Sequence, residues 1–233
     1  DVKESLRAIK SGYVVLGIGI VIIDYFLLTM YDVLAFKNEK LQLSNLKIIF
    51  TSFISYAFAN SIGLSGLTGS GLRINLYSLW NVPYKSIIKV IKFCYVSFWV
   101  GLLWVGGLFL TFEPVDLTRF NFYFDTTKEV GIILLIIAAS YSAHKVFSKK
   151  KSLEISVFQI LISLLDWILV SGLIYIFLPH SDTLTFIKFF PIFLSAQIIG
   201  VLSNLPGGIG AFDYVFLTLI LSSINNSGSF DNI

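Results

Sequence analysis

Ser203-Asn204-Leu205-Pro206-Gly207-Gly208-Ile209-Gly210-Ala211-Phe212-Asp213 interrupts an apolar segment that otherwise runs from Phe186 to Ile224. Proline removes a backbone donor and the glycines after it loosen the chain, so one helix ends here and another begins at Ala211. At membrane depth such a break is tolerated only where protein or a watery cavity satisfies the freed amides. The same device occurs earlier: between Ile48 and Tyr77 a helix-forming run meets Gly63, Gly66, Gly69 and Gly71 before it reaches Arg73. Both segments read as re-entrant hairpins that enter, break at glycine and return to the same side. For the first, a kinked but complete span is the alternative.

The rest of the chain supplies the membrane setting. Of 233 residues 56% are hydrophobic and 13% charged, and the mean hydropathy is +0.83, which is far from the balance of a soluble domain. A helix needs roughly 20 apolar residues to cross the hydrocarbon. Tyr13 to Ala35, Phe93 to Phe112, Val130 to Phe147 and Ile155 to Leu178 each meet that requirement. The expected fold is therefore an all-α integral membrane protein, a polytopic helical bundle containing the two glycine-broken hairpins. The net charge of +3 comes from basic residues in short loops, a positive-inside pattern rather than a nucleic-acid footprint. It puts Arg73 to Lys92 and Lys145 to Lys151 on the cytoplasmic side and the acidic Glu113 to Glu129 loop outside. Cys94 is the one cysteine and reads as a packing residue; His144 and His180 lie too far apart to suggest a metal pair, so no metal or cofactor is expected. The chain opens on Asp1 with a polar, amphipathic run unlike a signal peptide. It is expected to be a fragment, with a further helix on either side.

The two halves resemble each other. Ile22-Ile23-Asp24-Tyr25-Phe26-Leu27 matches Leu164-Leu165-Asp166-Trp167-Ile168-Leu169 at an offset of 142 (24 to 166), and Gly66 and Gly69 match Gly207 and Gly210 at an offset of 141 (66 to 207). Repeat one is drawn over 13–80 and repeat two over 153–224 of a single membrane domain, 1–233, joined by spans at 93–112 and 130–147. Following the chain through those two spans sets the repeat helices in opposite directions, an inverted repeat of the kind transporters use.

No P-loop, dinucleotide fingerprint, zinc spacing or hydrolase triad is present. The informative residues are ionisable groups in apolar helices, each costing about 2.5 to 3.5 kcal/mol at a helix centre unless it finds a partner or a wet cavity. Asp24 and Asp166 lie deep in apolar runs. Asp32 nears the end of its run, where an interfacial carboxylate in water is the plainer reading. Arg73 and Asp213 each follow a glycine break. Arg73 could clasp a lipid phosphate as a guanidinium fork, with Asp213 recognising an amine or pairing with the arginine; the plainer readings are a snorkelling positive charge and a helix cap. Gly101, Gly106 and Gly107 mark close helix packing.

Thr29-Met30-Tyr31-Asp32, the run Ser55-Tyr56 through Asn60-Ser61-Ile62-Gly63 to Gly69-Ser70-Gly71-Leu72-Arg73, the pair Asp166-Trp167, and Pro206-Gly207-Gly208-Ile209-Gly210-Ala211-Phe212-Asp213 together resemble the N-terminal membrane domain of the lysylphosphatidylglycerol synthase/flippase family, the bacterial multiple peptide resistance factors. The resemblance runs in order along nearly the whole chain. It implies a flippase module in the bacterial cytoplasmic membrane that moves aminoacylated phosphatidylglycerol to the outer leaflet and so repels cationic antimicrobial peptides. It implies as partners an anionic or aminoacylated phospholipid, a cytosolic lysyl-tRNA-dependent transferase domain outside this chain, and room for a homo-oligomer, with no nucleic acid bound here. The family's functional positions fall on Asp32, Arg73, Asp166 and Asp213; where the family often has glutamate, this chain has Asp166. Membrane anchoring of a transferase without translocation, and small-solute transport, are the alternatives.

Overall fold

A computed structural model describes residues 11–62, 65–117, 126–147, 153–178, 184–203, 205 and 208–228. Among them are eight helices: α1 (Ser11–Asn38), α2 (Asn45–Ile62), α3 (Ser65–Leu79), α4 (Tyr84–Phe112), α5 (Lys128–Phe147), α6 (Leu153–Phe177), α7 (Phe186–Leu202) and α8 (Ala211–Gly228). The protein is an all-α membrane protein. Among the described residues, three helical stretches are long and apolar enough to cross a bilayer, Ser11–Asn38, Tyr84–Phe112 and Val157–Phe177. On α1, Val14, Val15, Leu16, Ile18, Ile22, Ile23 and Phe26 all stand exposed. A face of that size and apolarity is unsustainable in water and ordinary against lipid.

The sequence pattern places a span at Phe93 to Phe112, but the helix starts nine residues earlier, at Tyr84. Pro83 occupies its N-cap with φ −60°, and Lys89 anchors the added turns through an ion pair with Glu39 at 3.2 Å. A helix can continue beyond the hydrocarbon, so apolar content alone understates its length.

Both glycine-rich segments turn back on themselves. In the first, a Cβ on Gly69 of α3 would lie 3.3 Å from Ala59 Cβ and from the Ser55 carbonyl of α2. Residues on either side of the break thus face each other, as in an antiparallel hairpin rather than a kinked rod. In the second, Phe193 rests on Phe212 and Phe189 on Phe216, with centroids 6.1 and 6.0 Å apart, and Gly208, at φ +69°, brings its backbone against Gly200. That φ lies in the left-handed region where glycine has no steric cost. Gly63, Pro206 and Gly207 lie outside the described residues.

Each hairpin has its own core. Tyr31, Phe36, Ile48, Tyr77, Ile87 and Val90 pack where α1 to α4 meet. Leu102, Trp167, Phe189, Phe193, Phe216 and Leu219 pack the second hairpin against α4 and α6. Helix α4 belongs to both, and glycine lets its neighbours approach. A Cβ on Gly101 would collide with Ser163 of α6, and one on Gly107 would come within 2.7 Å of Leu135 of α5.

Helices α1 and α6 run antiparallel. Gly17 lies against Leu173 and Phe177, Asp24 against Asp166, and Lys37 pairs with Glu154 at 3.3 Å. Rising numbers on one helix meet falling numbers on the other.

Gly101→Leu is expected to lower stability by about 1 to 3 kcal/mol through overpacking. Gly172→Ala, where a Cβ meets nothing within 4 Å, should be neutral or slightly stabilising. Thermal unfolding in detergent micelles reads both.

Candidate functional site

Asp32 on α1 is 0% exposed and Arg73 on α3 is 5% exposed, so neither of the plainer readings holds. The carboxylate is not interfacial and the guanidinium does not snorkel to water. They pair with each other. Arg73 Nη2 donates to Asp32 Oδ1 at 2.8 Å and Nε donates to Oδ2 at 3.0 Å, a two-pronged fork in the geometry that makes arginine–carboxylate pairs strong. Pairing of Arg73 with Asp213, one of the two roles open to that carboxylate, does not occur. The hairpin carries Arg73 to α1, not to the second break.

The pair is enclosed by further donors. Tyr77 Oη donates to Oδ2 at 2.7 Å and Ser52 Oγ to Oδ1 at 2.9 Å, while the Cys94 thiol of α4 lies 3.4 Å from Oδ1. The Tyr56 ring covers the guanidinium face, its centroid 4.4 Å from Cζ, a cation–π contact. Gly69, Arg73 and Tyr77 sit four residues apart on one stripe of α3, and Ser52 and Tyr56 do the same on α2. The hairpin therefore delivers Arg73 and Tyr77 from α3 and Ser52 from α2 onto one carboxylate, with Tyr56 from α2 over the guanidinium. The sequence reading missed Tyr77, Ser52 and Tyr56, although their spacing of four from one another or from Arg73 was visible. Cys94 packs as expected, and its sulfur also touches the carboxylate.

A second buried group adjoins the first. Tyr31, beside Asp32 on α1, donates from Oη to Asp166 Oδ2 on α6 at 3.2 Å, and the Asp24 side chain lies against that of Asp166. Asp166 is 7% exposed, and Asp24 Oδ1 is enclosed without a partner. Further along α6, Ser163 donates to the Ser97 carbonyl at 2.7 Å and Gln159 to Ser97 Oγ at 2.6 Å. Together these contacts extend a buried polar seam between α6 and α4.

Asp213 lies apart from both groups and is exposed. It accepts from the Gly210 backbone N–H at 3.0 Å, which is the N3 half of a capping box at the start of α8. Gly210 itself has φ +86°. Gly71, by contrast, has nothing within 4 Å of where a Cβ would stand. Among the described residues, no group of three or more His, Cys, Asp and Glu could hold a metal ion.

No family model matches the chain. Its sequence is 37% identical over 232 residues to an uncharacterized protein of Synechocystis sp., slr0712, covering 94% of this chain and 72% of that one. It is 27% identical over 243 residues to the inner membrane protein YbhN of Escherichia coli, covering 98% and 75%. A third relative is the phosphatidylglycerol lysyltransferase of Staphylococcus aureus, 26% identical over 197 residues, which are 82% of this chain but 23% of that enzyme.

Breaking the enclosed pair should be costly and removing it whole should not. Asp32→Ala or Arg73→Ala is expected to lower unfolding stability by about 3 to 5 kcal/mol, and Asp32→Leu with Arg73→Met to recover most of that loss. Asp213→Ala should cost only about 1 kcal/mol, the value of a helix cap. A double-mutant cycle read by thermal unfolding checks all three.

Proposed function

Because the chain belongs to the lysylphosphatidylglycerol synthase/flippase family, as a membrane domain related to phosphatidylglycerol lysyltransferase, we propose that it binds a phospholipid headgroup within the bilayer and carries it between leaflets. The lipid is an anionic or aminoacylated phosphatidylglycerol, the membrane is the bacterial cytoplasmic membrane, and outer-leaflet display reduces the attraction of cationic antimicrobial peptides. The single observation that carries this reading is the Arg73–Asp32 pair sealed within a helical hairpin. An ionised pair at that depth is a poor way to gain stability, since an apolar pair of similar volume serves at least as well; intramembrane charges are the usual mark of a substrate or ion path.

The architecture supports the same reading. The two broken helices act as re-entrant gates, each belonging to one half of an inverted repeat over 13–80 and 153–224. Asp24 and Asp166, equivalent in the two halves, meet where α1 and α6 cross antiparallel. Gly66, Gly69 and Gly71 lie within α3 rather than at a break, so the first turn comes before them; at the second, Gly208 and Gly210 take positive φ, and Asp213 presents a carboxylate to a headgroup amine there. An apolar groove between α1 and α6, walled by Val14, Gly17, Val21, Leu173 and Phe177, reaches Ile22, two residues short of Asp24. It suits an acyl chain whose headgroup enters the bundle.

A second reading is favoured by the name of the Staphylococcus aureus relative, of which this chain spans 23%: a membrane module that holds lipid for a transferase and translocates nothing. The two separate in leaflet-resolved lipid analysis of cells carrying the intact gene, its deletion or an Arg73→Lys variant. The lysine keeps the charge and loses the fork. Translocation predicts that Arg73→Lys, present in the membrane at wild-type level, lowers outer-leaflet lipid severalfold while total lipid stays constant. Unchanged leaflet distribution in both the variant and the deletion strain would overturn it.

A further inference from the structure

Hydroxyls on these helices ordinarily satisfy themselves. Ser97, Thr111, Ser195 and Thr218 donate to the carbonyl four residues back, and Thr29, Ser171 and Ser222 donate to the carbonyl three back. Thr51 and Ser55 on α2 do not. Both are 0% exposed, and neither hydroxyl oxygen has a hydrogen-bond partner. A buried hydroxyl left unpaired forfeits its hydration for nothing, so each such group calls for a reason.

Their position suggests one. Thr51 and Ser55 are a turn apart and flank Ser52, whose hydroxyl reaches Asp32. The Ser55 carbonyl and Arg73 Nη1 both lie 3.3 Å from the point a Cβ on Gly69 would occupy, so the Ser55 turn of α2 lies beside the guanidinium across the room glycine leaves. Nη1 is the underused corner of the arginine. Asp32 takes Nε and Nη2, whereas Nη1 has only a 3.4 Å contact with the Gly69 carbonyl. Nη1 and both hydroxyls are able to donate, and the guanidinium charge disfavours a cation.

We propose that Thr51 Oγ1, Ser55 Oγ and Arg73 Nη1 form a subsite for an oxyanion, the phosphate of a phospholipid headgroup, while Asp32 keeps the other two corners of the fork. This rests on the lipid reading above and adds Thr51 and Ser55 as specificity-determining residues. A phosphodiester brings two non-bridging oxygens, each able to accept more than one hydrogen bond, which suits two unpartnered hydroxyls and a guanidinium corner. Inorganic phosphate shares that chemistry, and the test separates the two sources.

The full-length protein in detergent is titrated with phosphatidylglycerol and with diacylglycerol bearing the same fluorescent acyl chain, and inorganic phosphate is added as competitor. Thr51→Val with Ser55→Ala keeps side-chain volume nearly unchanged and removes both hydroxyls. Binding of phosphatidylglycerol should weaken by roughly tenfold or more, with diacylglycerol binding unchanged. The lipid-free melting temperature should hold or rise, since the hydroxyls bond nothing in the fold. Unchanged phosphatidylglycerol affinity in the double variant, with loss in Arg73→Lys, overturns the subsite and leaves the lipid reading standing. A lowered melting temperature without lipid also overturns it, because the hydroxyls would then serve the fold. Phosphate binding that depends on both hydroxyls, with no preference for phosphatidylglycerol over diacylglycerol, supports the oxyanion subsite and removes the lipid reading. No preference and no phosphate binding in the wild type overturns both.

Discussion

An arginine and an aspartate cannot be left separately in hydrocarbon, and much of the first half of this protein is organised around keeping Asp32 and Arg73 together. The charges are 41 residues apart in sequence. Bringing them into a fork requires α3 to fold back along α2 and both to lie on α1. The fold-back in turn needs residues small enough to let α2 and α3 touch, and Gly69 is one of them, against Ala59 and the Ser55 carbonyl. Once the pair has formed, its remaining acceptor capacity draws in Tyr77, Ser52 and Cys94, and the ring of Tyr56 closes over the cation. Four helices are thereby tied at one carboxylate.

The second half solves its packing differently. Its hairpin is held by a phenylalanine stack from α7 and α8, with no ion pair among the described residues. At the repeat offsets, Ile174 stands where the first half has Asp32, and Tyr214 where it has Arg73. Sequence likeness between the halves therefore includes Asp24 and Asp166 but not the ion pair. Helix α4 links the two cores, and the seam of Ser97, Gln159 and Ser163 gives it a polar contact with α6 that needs no charge. Because Tyr31 and Asp32 are consecutive on α1, the contact with Asp166 on one side and the fork with Arg73 on the other share a single rigid element. A displacement of α1 would disturb both.

The relatives fit a domain of this kind used in more than one protein. The chain aligns with most of the Synechocystis protein and of YbhN, yet with under a quarter of the phosphatidylglycerol lysyltransferase. What is shared with all three is a membrane unit, and its chemistry has to be argued from its own buried side chains.

Membrane character, helical class and the two glycine breaks could all be read in the amino-acid sequence, because each depends on local composition: run length against bilayer thickness, and residues that cannot continue a helix. The sequence also singled out Asp24, Asp32, Arg73 and Asp166, since a charge in an apolar run is conspicuous by itself. Which charge meets which was decided only by tertiary structure. Arg73 could be read as reaching a phosphate, Asp213 or water, and the direction of the fold-back chose Asp32. Thr51, Ser52, Ser55 and Tyr77 are ordinary residues in a membrane helix. They became notable only when packing removed them from water and either supplied a partner or withheld one, a distinction that no spacing along the chain encodes.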